Sequence, residues 1–173
     1  MKKHKLSLRT RALGYLARRE YSRAELHAKL SRYSISNNDI DTESDPESKS
    51  FDLEVDLSDD LNSLLDDLEA RGWLSDERAA KQWLHAKGNR FGAQRIVYEL
   101  RQKGIPEELI ESTLPSLREN ELATAREVWQ KKFGVLPADH REKAKQMRFL
   151  QSRGFSMGTI INLFRQPDLD GTG

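Results

Sequence analysis

The segment spanning residues 91–114, FGAQRIVYELRQKGIPEELIESTL, restricts the possible fold more than any other. Ala93, Ile96, Val97 and Leu100 fall at i, i+3, i+4 and i+7, one apolar stripe of a 3.6-residue period. Phe91 and Ile96 stand at the N′ and N4 positions of a hydrophobic staple, with Gly92 between them as cap. Gly104 lies where a helix ends on a left-handed residue, a conformation that glycine adopts freely. Pro106 then pre-sets the first turn of a second helix, and Glu107 and Glu108 occupy its positive end. Leu109, Ile110, Thr113 and Leu114 give that helix an apolar side. Two helices this short cannot bury these faces alone, so a third has to cover them.

The rest of the chain supplies such helices. The first is expected over residues 7–19, with Leu13, Leu16 and Ala17 inward and Ala12 and Tyr15 beside them. In YSRAELHAKL, Ser22 and Glu25 form a capping box and Tyr21 and Leu26 a staple, which starts a helix running to about Arg32. Residues 33–56 are rich in Asp, Glu, Ser and Asn and hold few apolar groups, so they read as an acidic mobile loop. A third helix is expected from Ser58, with Leu57, Leu61, Leu64, Leu65 and Leu68 as its stripe and Gly72 as its stop. Ser75 caps a fourth, with Ala79, Ala80, Trp83 and Leu84 inward. The opening segment supplies the fifth and sixth. Pro115 is expected to separate the sixth from a seventh, which carries Leu122, Ala125, Val128 and Trp129 and ends near Lys132. Asp139 and Glu142 start an eighth with Ala144, Met147 and Leu150 inward. Ser156 caps a ninth carrying Ile160, Ile161, Leu163 and Phe164.

Nine helices in groups of three suggest a repeat. With Leu30, Leu100 and Leu150 in register, Phe91 falls on Tyr21 and Ile96 on Leu26 at an offset of 70. Gly104 falls on Gly154, Ile105 on Phe155, Ile110 on Ile160 and Leu114 on Phe164 at an offset of 50, while Leu16, Trp83 and Trp129 correspond. The expected fold is therefore all-α: tandem three-helix repeats in an elongated, curved, solenoid-like array. The first module would cover residues 1–74, with the acidic insertion at 33–56. The second would cover 75–115 and the third 116–166, leaving a frayed tail at 167–173.

Charge is distributed unevenly. Residues 1–32 carry ten Lys and Arg against two Asp and Glu, residues 33–77 carry two against fifteen, and residues 78–173 carry seventeen against eleven. A formal net charge of +1 thus conceals balances of +8, −13 and +6, an asymmetry that concerns partners rather than fold. The chain has no cysteine, which removes disulfides and thiolate metal sites. No apolar run reaches the 18 residues that a membrane span needs, and the basic start lacks the apolar stretch of a signal peptide. A cytoplasmic protein is expected. There is no P-loop, G-x-G-x-x-G or H-E-x-x-H, and His4, His27, His85 and His140 are scattered, so neither catalysis, nor a metal, nor a cofactor is expected.

Four motifs together resemble one family. They are A-x2-YL-x-R at residues 12–18, YS-x2-EL-x2-KL at 21–30, L-x3-GWLSDERAA at 68–80 and EL-x2-KGI at 99–105. With FLQSRGFSMGTI at 149–160, they are similar to the RecX family, bacterial regulators of the RecA recombinase. Members usually carry a glycine soon after the KL and a short loop; here Ser34 takes that place and the acidic insertion follows. The resemblance implies tandem three-helix repeats lying in the groove of the RecA–single-stranded-DNA filament. There they would restrain filament growth, ATP hydrolysis, strand exchange and repressor co-cleavage, in DNA repair and the SOS response. The implied partner is RecA, with weak direct contact to single- or double-stranded DNA, no membrane and a monomeric chain.

Basic residues are the candidates for such contacts: Arg18, Arg19, Lys29 and Arg32; Arg90, Arg95, Arg101 and Lys103; Lys143, Lys145, Arg148 and Arg153. For each, the simpler alternative is a solvated face, or a cation complementing a helix dipole. Trp83 and Trp129 suit base stacking or, given their equivalent positions, core packing. Trp73, just past a glycine stop, fits either role. Two other functions are compatible with the residues: a helical nucleic-acid-binding module acting without RecA, and a helical-repeat adaptor for another protein.

Overall fold

The computed structural model describes residues 7–38 and 50–165; side chains are described outside 34–38 and 50–59. Among the described residues the chain is helical. The α-helices are α1 (Leu8–Leu16), α2 (Arg23–Asn38), α3 (Ser50–Ala70), α4 (Asp76–Lys87), α5 (Ala93–Gln102), α6 (Glu107–Lys132), α7 (His140–Ser152) and α8 (Met157–Arg165). A 3₁₀ turn, Gly88–Arg90, follows α4. Two compact units result. One holds residues 1–80 with 103–105, the other 81–102 with 106–173.

In the first unit, α1, α2 and α3 enclose Ala12, Tyr21, Leu26, Leu30, Leu61, Leu65, Leu68 and Leu74. The buried side of α1 differs from expectation. It is Leu8, Ala12, Tyr15 and Leu16, whereas Leu13 and Ala17 are exposed. The fully buried methyl of Ala12 lets α1 lie close to its neighbours, which rotates the face away from Leu13. The expected capping box forms: the Glu25 amide donates to Ser22 Oγ at 3.1 Å, and the Ser22 amide to Glu25 Oε2 at 3.3 Å. Gly72 takes φ +68°, and the Trp73 and Leu74 amides return to the Leu68 carbonyl.

The acidic segment is shorter than expected. α2 continues through Ser34 to Asn38 and α3 begins at Ser50, so 34–38 and 50–56 are helical; residues 39–49, and the frayed-tail expectation at 167–173, lie outside the described residues. In the sequence, Leu53 and Leu57 extend the four-residue spacing of Leu61 and Leu65 upstream, and Ser58 falls inside the helix rather than capping it.

In the second unit, α6 packs against α5, α7 and α8. Ala125, Trp129, Leu150, Phe155, Ile160 and Leu163 form the buried cluster, with Leu122, Val128, Met147, Phe149 and Phe164 against it. Pro115 does not divide two helices: α6 runs through it without interruption. Proline removes one intrahelical hydrogen bond and costs about 3 kcal/mol in a helix interior. Here Pro115 and Glu111, whose carbonyl loses its partner, are both exposed, which leaves the vacant carbonyl on the solvent side. The residues on either side pack as one helix, and this offsets the cost. Eight α-helices therefore stand among the described residues where nine were expected. Ala144, expected inward, is exposed; Gln146 is buried instead, accepting from Trp129 Nε1 at 2.7 Å.

A recurring joint fixes the N-termini of α2 and α5. Ser22 Oγ donates to the Lys103 carbonyl, and the Arg23 amide donates to Asp76 Oδ1 at 2.7 Å. Seventy residues on, the Gly92 amide donates to the Arg153 carbonyl at 2.9 Å, and the Ala93 amide to Glu121 Oε1 at 3.1 Å. In each joint a turn ending in a left-handed glycine, Gly104 or Gly154, abuts a helix start, and an acidic side chain caps that start. Glu121, buried inside α6, also accepts from the Ser156 amide, Ser156 Oγ and Thr159 Oγ1 at 3.3, 2.8 and 2.5 Å. One carboxylate thus caps both α5 and α8, which explains how a charge sits in this interior.

Candidate nucleic-acid interface

Cations gather at helix C-termini because they complement the negative dipole end. In the second unit this rule concentrates charge in one place. Lys131 and Lys132 form the last turn of α6, which stops at Gly134 with φ +68°. Arg153 is the C-cap of α7, directly before Gly154 with φ +82°. Arg90 closes the 3₁₀ turn after α4. All four line one open cleft of about 360 Å³, together with Asn89, over a floor of Val128 and Phe149. The Arg153 guanidinium lies 5.2 Å from the Phe149 ring centroid and 5.5 Å from that of Phe91. Of the lysines, Lys131 has a carboxylate nearby, Glu127 at 3.7 Å, with both side chains largely exposed, a pair worth little. Four cations over an apolar floor focus positive potential into the concavity, the arrangement that attracts a phosphate chain.

The other candidates are dispersed or already engaged. Arg19 meets Glu25 at 3.4 Å and stacks 3.6 Å from the Tyr21 ring centroid. Lys103 meets the same Glu25 at 2.7 Å. Burial pushes the Glu25 carboxyl up, but hydrogen bonds from Lys103, Arg19 and the Ser22 amide outweigh it and hold the group below the ordinary carboxylate value. Arg95 pairs with Glu99 at 2.6 Å, and Arg101 with Glu107 through Nε at 2.9 Å. Lys29 lies 5.1 Å from the Tyr15 ring centroid. Arg18, Arg32, Lys145 and Arg148 are exposed, and Lys143 lines a separate cleft at the α7–α8 end. So of the twelve only Arg90 and Arg153 share the cationic cleft, while Arg19 and Lys103 converge on Glu25. Lys131 and Lys132 were missed, since a KK pair before a glycine stop reads as an ordinary dipole complement.

Trp83 and Trp129 are both buried and serve as core, not as stacking platforms. Trp73 is 45% exposed, with the Arg9 and Arg71 guanidiniums 5.9 and 5.5 Å from its centroid. Among the described residues no group of three or more His, Cys, Asp or Glu is placed to hold a metal ion, and no helix is long and apolar enough to cross a membrane.

Three family profiles match the chain in order: RecX first three-helix domain over residues 9–42, second over 75–114 and third over 119–162. The chain belongs to the RecX family. The regulatory protein RecX of Leptothrix cholodnii is 42% identical over 163 residues, 94% of this chain and 90% of that protein. That of Chromobacterium violaceum is 41% identical over 154 residues, 89% and 86% of the two chains. Both relatives are named as regulatory proteins rather than for a catalysed reaction. The crystal structure of RecX from Lactobacillus salivarius has the same fold, with a TM-score of 0.68 at 18% identity, covering 94% of this chain and 95% of that one. The all-helical RecX fold expected from the motifs is therefore the fold observed.

Proposed function

We propose that this chain acts in the cytoplasm as a non-enzymatic, monomeric modulator of RecA. It lies along the RecA filament on single-stranded DNA and restrains filament growth, ATP hydrolysis, strand exchange and repressor co-cleavage. The observation that carries the reading is the match to all three RecX domains in sequence order. Three modules, with limits near residues 74 and 115, would contact successive protomers, so that individually weak contacts gain from a high effective concentration. The cleft of Arg90, Lys131, Lys132 and Arg153 supports direct contact with backbone phosphates as part of this action.

The test is RecA's single-stranded-DNA-dependent ATP hydrolysis, with the chain titrated in at substoichiometric ratios beside an anisotropy titration against bare single-stranded DNA. Inhibition well below one copy per RecA, with weak binding to bare DNA, is expected. Changing Arg90, Lys131 and Lys132 to Gln should move inhibition to higher ratios and reduce the salt slope by about one for each phosphate that is no longer neutralised. An unchanged slope would remove the cleft from the interface. Bare-DNA binding tight enough to explain all inhibition would favour the independent nucleic-acid module. No inhibition at all would refute the RecA reading and leave the adaptor.

A further inference from the structure

The cationic cleft continues into an alternating row of rings and guanidiniums. Phe149, on the cleft floor, meets Phe133 edge-on, with ring centroids 5.3 Å apart and planes at 89°. The Arg153 guanidinium lies 5.2 Å from the centroid of Phe149 and 5.5 Å from that of Phe91. Arg95 follows, 6.0 Å from the centroid of Phe91 and 5.7 Å from that of Tyr98. Each contact is within reach of a cation–π attraction. Local spacing sets most of this row. Phe149 and Arg153 stand four apart, as do Phe91 and Arg95, and Arg95 and Tyr98 stand three apart, spacings that bring side chains together on a helical turn. Only the step from Arg153 to Phe91 is long-range. The joint supplies it, because the Gly92 amide donates to the Arg153 carbonyl at 2.9 Å.

The two ends of the row differ in charge. At one end Arg153 shares the cleft with Arg90, Lys131 and Lys132, and among the described residues no carboxylate pairs with it. At the other end Arg95 is paired with Glu99 at 2.6 Å, so its charge is offset. Tyr98 there is 54% exposed and lies off the buried stripe of Ala93, Ile96 and Leu100 that holds α5. A phosphate chain is drawn to the first end, whereas an open ring beside a neutralised arginine suits the face of a base. No step in the row exceeds 6.0 Å, so a few nucleotides, at about 3.4 Å each when stacked, bridge the cleft and Tyr98. Bases in a duplex stack on one another and offer only their edges in the grooves, so a duplex can enter the cleft without using the ring. We infer that Tyr98 is a base-stacking platform that makes this nucleic-acid contact selective for an unpaired strand, with phosphates in the cleft and a base on the ring. The inference rests on the reading of the cleft as a phosphate contact.

Anisotropy of a fluorescein-labelled oligothymidylate with the full chain at low salt is the test. Tyr98→Ala should weaken binding about fivefold or more and leave the salt slope unchanged, because no phosphate contact is lost. Tyr98→Phe, which keeps the ring, should bind as the parent does. An abasic oligomer of the same length, and a duplex, should each bind the parent and Tyr98→Ala alike. Tyr98 is exposed, so helicity and thermal unfolding should be the same in all variants. Tyr98→Ala binding within about twofold of the parent, beside a weakening when Arg90, Lys131 and Lys132 are changed to Gln, would overturn the platform and leave the cleft. If the triple change has no effect either, the cleft reading fails and the inference with it. Equal losses on duplex and single strand, or a Tyr98→Phe loss as large as that of Tyr98→Ala, would also overturn it. So would weaker RecA inhibition by Tyr98→Ala with DNA binding intact, which would make the ring a protein contact.

Discussion

Gly92→Ala isolates the joint between α5 and the turn before α8. A Cβ added at Gly92 would lie 2.2 Å from the Gly154 carbonyl oxygen and 2.4 Å from the Phe155 Cα, all backbone atoms that no rotamer change removes. Ordinary contact begins at 3.4 Å, so the two segments must part by about 1.2 Å. The bonds from the Gly92 amide to the Arg153 carbonyl, 2.9 Å, and from the Gln94 amide to the Gly154 carbonyl, 3.2 Å, would both then exceed hydrogen-bonding distance. Each is worth about 1 kcal/mol net. Overpacking adds about 1–3 kcal/mol, and the stiffer unfolded chain returns up to about 1 kcal/mol. The expected loss is therefore roughly 2–5 kcal/mol. Urea unfolding in a Trp73→Phe background would report the second unit through Trp83 and Trp129, and hydrogen exchange at the Gln94 amide should accelerate in parallel. Gly158→Ala is the control. It lies inside α8 with nothing within 4 Å of an added Cβ, and should stabilise by about 0.5–1 kcal/mol. A Gly92→Ala chain within about 0.5 kcal/mol of its parent would refute the idea that a backbone-to-backbone joint holds α5.

Glu25→Gln should destabilise the first unit near pH 7 by about 1–2 kcal/mol, because it weakens charged hydrogen bonds to Lys103 and Arg19. The folded group titrates below its ordinary value, so its contribution is present above the unfolded value and is lost as pH falls through the folded one. Denaturation midpoints of the two chains should accordingly converge on acidification; a constant gap down to strongly acidic pH would contradict this. Pro115→Ala should restore a bond to the Glu111 carbonyl and raise the stability of the second unit by about 1–3 kcal/mol in thermal unfolding, the loss of proline's unfolded-state restriction opposing part of the gain. A chain destabilised by this change would show that Pro115 fits its helix better than its missing donor suggests.

Much of the fold was legible because it rests on local rules. Ser22 with Glu25, Asp139 with Glu142, and Gly72, Gly104 and Gly154 mark helix ends through bonds made within a few residues. Leu30, Leu100 and Leu150, placed in register from spacing alone, are all fully buried. The misreadings occurred where packing outweighed a local preference. Pro115 lies inside α6, and α1 turns on Ala12 rather than Leu13. The site was less legible still. Arg19, Arg101 and Lys103 look free along the sequence, but each has a carboxylate partner outside the i,i+4 spacing of a single helix.

By itself, then, the sequence determined most of the helices and caps, the repeat register and the family, since each depends on the order of residues along a few turns. Tertiary structure alone decided that Lys131 and Lys132 share a cleft with Arg90 and Arg153. It also placed Glu121 under the starts of both α5 and α8, and left Ile161 uncovered beside Lys143. These groupings join residues far apart in sequence. They depend on where helices cross rather than on where they begin, and a helical period carries no information about crossings.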